Sequence, residues 1–93
     1  MTYTIDLYGA GSRAEIHERI RRGLPVPEYY GNNLDALHDV LAECEDDTEI
    51  VFKNSTKIAP NMRGYVEALR WMCSETAEEN PEIQIEFKGY ITT

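Results

Sequence analysis

The sequence predicts an α/β domain over residues 1–93, with a three-stranded parallel sheet packed against three to four helices. Three observations lead there. Short apolar segments at 3–7, 49–53 and 83–87 carry strand patterning, and the stretches between them carry helical periodicity. Each connection is long enough for a helical crossover, which parallel neighbours require and a hairpin does not. A length of 93 residues with 42% hydrophobic content suffices for one small core with little surplus stability.

Each element has a local reason. Tyr3, Ile5 and Leu7 alternate with Thr4, Asp6 and Tyr8, the period of a strand covered on one face, until Gly9 and Gly11 break it. Ser12 and Glu15 form a capping box that opens a helix with Ile16 and Ile20 on its apolar side. Arg21 and Arg22 sit in its last turn, where cations suit the helix dipole, and Gly23 stops it. His17 is expected at the surface or the core edge. Pro25 and Pro27 bar regular structure through GLPVPEYYG, and Gly31 permits a turn.

Asn32 or Asn33 then caps a second helix running to about Glu43. Leu34, Leu37, Leu41 and Cys44 share one side of it, with Asp35, Asp39 and Glu43 opposite. Five acids between positions 43 and 49 mark an exposed turn. Ile50, Val51 and Phe52 are apolar on consecutive residues, which predicts a central strand covered on both faces. One helical turn is expected from Asn54 and Ser55 to near Pro60. Met62, Tyr65, Val66, Leu69, Cys73 and Thr76 line a longer helix to about Glu78, ended by Asn80-Pro81. Ile83, Ile85 and Phe87 form the last strand.

Composition narrows the function. Nine Lys and Arg against 17 Asp and Glu give a formal charge of −8, which repels nucleic acid and anionic membranes and favours a cationic partner. Cys44 and Cys73 lack metal spacing and read as small buried hydrophobes. No basic segment with an apolar run opens the sequence, and no stretch approaches the roughly 20 apolar residues of a membrane span, so a cytoplasmic location is expected.

The acid stripe admits three chemistries. As general acid and base, Asp35 and Asp39 would need a cleft that separates their pKa values, and no nucleophile–base pairing accompanies them. Asp35, His38 and Asp39 have the spacing for a metal, yet nothing completes the shell, so neither metal nor other cofactor is expected. The third is a recognition surface, with carboxylates for steering and Tyr29 or Tyr30 for anchoring, one of the two turning into the core. Trp71 projects opposite Leu69, but large aromatics are mostly buried, so it is expected to pack against another element.

The segment LPVPEYYGNNLDALHDVL, positions 24–41, resembles the signature stretch of the barstar family, intracellular inhibitors of secreted bacterial ribonucleases. The order of elements resembles that family over nearly the whole chain. The resemblance implies a non-enzymatic plug, a monomer that binds a basic ribonuclease or similar cationic toxin one to one. Its acids would mimic RNA phosphate. Asp39 would be the central contact, with Tyr29, Tyr30, Gly31, Asn33 and Asp35 around it and Glu75 added from the long helix. His38, Glu43 and Cys44 depart from the best-known inhibitor at positions that meet the partner. They leave open a barstar-like interaction or immunity module whose partner is not a ribonuclease. His38 also brings a possible pH dependence if it faces the interface.

Overall fold

A computed structural model describes residues 1–89. Its elements are β1 (Thr2–Asp6), α1 (Arg13–Gly23), α2 (Leu34–Ala42), β2 (Thr48–Lys53), a 3-10 turn (Pro60–Met62), α3 (Arg63–Glu79) and β3 (Ile83–Phe87). The sheet is parallel throughout in the order β1-β2-β3, with Ile5 opposite Phe52 and Phe52 opposite Phe87. The expected class and strand order are therefore observed, with three α-helices.

One sheet face makes the core. Ile5, Ile50, Phe52 and Ile83 are buried there against Ile16 and Ile20 of α1, Leu37 and Leu41 of α2, and Val66, Leu69 and Cys73 of α3. Phe52 stacks on Phe87 with ring centroids 4.5 Å apart. Among the described residues nothing covers the other face, contrary to the expectation for β2. Val51 is buried there, but Thr4, Glu49, Lys53, Gln84 and Glu86 are all exposed. The apolar run at 50–52 reflects a central position in the sheet rather than a second layer.

The caps match the sequence. Glu15 N–H donates to Ser12 Oγ at 3.1 Å, while the Glu15 carboxylate accepts from Gly11 N–H at 3.0 Å. Asn33 Oδ1 accepts from Ala36 N–H at 2.7 Å and so opens α2. Gly23 is the last residue of α1, and its smallness is steric. A Cβ there would overlap the Thr4 carbonyl oxygen and come within 2.9 Å of Ile5 Cγ1, so α1 rests directly on β1.

Two further expectations are corrected. The segment after β2 does not form a helical turn from Asn54, because Asn54 takes a left-handed backbone (φ 58°) and Ser55 is tied to the Lys88 carbonyl. The helical turn starts at Pro60 instead, a position proline favours. Trp71 does not pack inward but stays 69% exposed. Among the described residues, no helix is long and apolar enough to cross a membrane.

Candidate partner-binding face

The loop before α2 is held from both ends. Tyr30 N–H closes a turn onto the Pro27 carbonyl at 3.0 Å, and Asn33 Nδ2 donates to the Gly31 carbonyl at 3.2 Å. Arg21, from the last turn of α1, reaches across. Its Nη2 donates to the Tyr30 carbonyl at 2.8 Å, its Nε to Asn32 Oδ1 at 2.9 Å, and its guanidinium lies over the Tyr30 ring. Asn32 adopts a left-handed φ of 54°, which Asn tolerates better than most residues. A basic residue in a last helical turn was visible in the sequence, but its use as a loop clamp was not.

Tyr29 and Tyr30 separate completely. Tyr29 is 89% exposed, whereas Tyr30 is 4% exposed and belongs to the core, so its side chain is withdrawn from the candidate contact set. The Tyr30 hydroxyl lies 2.7 Å from Nδ1 of His17, and the Tyr65 hydroxyl of α3 lies 2.6 Å from His17 Nε2. His17 is fully buried rather than at the surface or core edge. A neutral imidazole offers one donor and one acceptor, so one hydroxyl donates to the ring and the other accepts from it. Burial, and then the nearby Arg21, hold the His17 pKa below its ordinary value. Burial likewise raises the Tyr30 and Tyr65 hydroxyls, so the hub stays neutral.

Opposite this hub, α2 presents its acids. Asp35, Asp39 and Glu43 are all exposed at successive turns, with Gly31 and Asn33 exposed at the helix start. Asp35 lies in the first turn, where the helix dipole favours an anion; Asp39 and Glu43 lie towards the end that disfavours one. No cation occupies the last turn of α2. Asn80, just past α3, serves there instead: its Nδ2 donates to the carbonyls of Leu41 and Cys44 at 3.0 Å and of Ala42 at 3.4 Å.

His38 is half-buried between α2 and α3. Its Nδ1 lies 3.8 Å from Asp39 Oδ1, and its Nε2 lies 3.7 Å from Glu79 Oε2. Glu79 therefore joins the acidic face, which sequence reasoning missed because only packing brings the end of α3 beside α2. Glu75 is exposed one turn earlier on the same side of α3. Among the described residues, no three His, Cys, Asp or Glu side chains are grouped to hold a metal ion. Cys44 donates its thiol to the Val40 carbonyl at 3.3 Å, and burial pushes Cys73 up to about 12, so both are held as thiols.

The resulting surface is a row of carboxylates on one helix, widened by α3 and headed by an exposed tyrosine. A family model described as barstar (barnase inhibitor) matches residues 1–91. With that match across almost its whole length, and the parallel α/β fold already described, the chain belongs to the barstar family.

Proposed function

We propose that this protein inhibits a basic bacterial ribonuclease by inserting the Tyr29–Gly31 loop and the acidic face of α2 into its active site. The observation that carries the reading is the exposed row Asp35, Asp39 and Glu43 on a helix whose opposite side is locked into the core of a barstar-family chain. Ribonuclease sites hold phosphate with Arg, Lys and His. Carboxylates at comparable spacing would meet the same cations, so Asp39 takes the centre and Asp35, Glu43, Glu75 and Glu79 the flanks. Removing one acid then strands a desolvated cation on the partner.

Preorganisation supports the role. Ordering a loop on binding subtracts from affinity, and here Arg21, Asn33 and the His17 hub order it beforehand. In this reading the protein is a cytoplasmic monomer that forms a one-to-one complex and catalyses nothing. Its charge of −8 steers the encounter with a cationic enzyme. Association should therefore slow markedly as ionic strength rises towards a Debye length of about 8 Å at physiological salt.

RNA cleavage by candidate basic microbial ribonucleases, measured with equimolar protein, tests the proposal. At least one should be silenced, and Asp39→Ala should restore its activity. No inhibition of any, together with no Asp39-dependent partner in pull-downs from the producing cell and its medium, would sink it. The second reading is an immunity module against a cationic toxin that is not a ribonuclease. It draws on His38, whose ring sits between Asp39 and Glu79 at the centre of the face. A pulled-down toxin without ribonuclease activity would favour it.

A further inference from the structure

Cations are absent from the segments that build the candidate face. Residues 24–52 and 71–87, which supply α2, its flanking loops and the second half of α3, contain no Lys or Arg. His38 is therefore the one side chain in these segments that can carry a positive charge. The cations of the neighbouring helices are placed elsewhere. Arg70 of α3 lines the groove beside Ile85 and Phe87, and Arg63 starts α3 about four turns before Glu79. On α1, Arg13 lies over the Tyr65 ring, Arg21 holds the Tyr30 carbonyl and Asn32, and Arg22 pairs with Glu18.

The geometry of the ring adds a second, independent observation. Its two nitrogens face carboxylates from two different helices, Nδ1 towards Asp39 at 3.8 Å and Nε2 towards Glu79 at 3.7 Å. A neutral imidazole has one N–H and one bare lone pair, so it always turns the lone pair on one of these acids. A protonated ring meets both with a donor. Asp35 and Glu75, one turn earlier on α2 and α3, are exposed and add only negative charge around it. The side chain is 40% exposed, so solvent and a docking partner both reach it.

We infer that His38 makes recognition proton-linked, because its proton and a partner's cation compete for the place between Asp39 and Glu79. The inference rests on the reading of the α2 face as the surface that meets a cationic partner. An Arg or Lys brought against Asp39 and Glu79 sets like charge beside a protonated ring, which disfavours the charged form. The ring therefore gives its proton to the buffer as the complex forms. The complex then holds fewer protons than the free chain, so affinity declines as pH falls through the range in which histidine titrates. His38 is in this sense a specificity-determining residue: it favours capture of a cationic partner at neutral pH over capture in acid.

The test is a titration of ¹⁵N-labelled full-length protein with acetylated, amidated hexa-arginine, whose side chains keep their charge throughout the range used. Amide shifts should centre on Asp35, Asp39 and Glu79. Binding should weaken about fivefold from about pH 7.5 to about pH 5.5, which stays above the ordinary carboxylate values of about 4. His38→Gln cannot titrate and should bring that ratio below about twofold, and Glu79→Gln should lower it in the same direction. A thermal melt confirms that each variant is folded. The ring-proton signals of His38 should titrate at lower pH with the peptide than without it. Equal ratios in wild type and His38→Gln, ring signals unmoved by the peptide, or shifts centred away from α2 would each overturn the inference. Ribonuclease inhibition accompanied by equal ratios would remove the proton linkage and leave the inhibitor reading standing; the expected ratios without inhibition of any ribonuclease would do the reverse.

Discussion

Tyr29 and Tyr30 are adjacent in the chain and opposite in environment: one is 89% exposed, the other 4%. They divide the loop and α2 into two regions with different work. The inner region, with Tyr30, His17, Tyr65 and Leu37, fixes position through packing and short hydrogen bonds. The outer region, with Tyr29, Asp35, Asp39 and Glu43, is exposed to solvent, with the His38 ring 3.8 Å from Asp39 beside it. Stacked acids four residues apart disfavour an isolated helix, and two of these three stand towards the wrong end of the dipole. The difference teaches where stability and recognition are kept: the hub tolerates the acidic row, and the row is free to be optimised for a partner.

The two regions should separate under mutation. Asp39→Ala should weaken partner binding by about 3 kcal/mol or more, roughly a hundredfold, by leaving the partner's cations unpaired. The same change should move folding stability by less than about 0.5 kcal/mol, as for most surface substitutions. An inhibition titration and a urea melt on one preparation read both quantities. A large loss of stability would abolish the distinction between the regions.

Gly23→Ala probes the opposite side. The added methyl meets the Thr4 carbonyl and Ile5, so either α1 must shift from β1 or the strand must bend. Stability should drop by about 1–3 kcal/mol, the usual consequence of overpacking, while the folded fraction binds its partner within about twofold of wild type. Tyr30→Phe should cost about 1–2 kcal/mol, since the ring still fills its space but a buried nitrogen of His17 loses its partner. Arg21 still holds the Tyr30 carbonyl, so affinity should fall far less than for Asp39→Ala. Calorimetric unfolding alongside a binding isotherm checks both variants.

What was legible in the sequence follows the same division. The cap at Asn33 and the spacing of Leu34, Leu37 and Leu41 are local signals, and they placed α2 and its acids correctly. The His17 hub was not legible, because its partners lie 13 and 48 residues away and only the tertiary fold brings them together. Which tyrosine turns inward depends on the Pro27–Tyr30 turn, which composition does not specify. Trp71 carries a sharper lesson. Its helical angle opposite Leu69 indicated exposure, and the general preference of large aromatics for burial pointed the wrong way. Glu79 joined the face for a reason no periodicity contains, the approach of α3 to His38.

The smallest expected effect is a pH dependence confined to the inner region. Burial chiefly, and Arg21 secondarily, depress the His17 pKa below the ordinary value of about 6.5. The Tyr30 and Tyr65 hydroxyls contact the ring, Arg21 lies over the Tyr30 ring and Arg13 over the Tyr65 ring, and among the described residues no carboxylate is hydrogen-bonded to the imidazole. As pH falls through about 6.5, the unfolded chain takes up a proton at this residue while the folded chain does not, so unfolding gains. The stabilisation is thus fully present above about pH 6.5 and is lost as pH drops towards and through the folded-state value. Urea midpoints at about pH 7.5, 6.5 and 5.5 should decline for the wild type. His17→Gln keeps a donor and an acceptor but cannot titrate, so its decline should be shallower by the contribution of this one group. Parallel slopes for the two proteins would mean that His17 binds its proton equally in the folded and unfolded chains, so that the hub contributes no pH dependence.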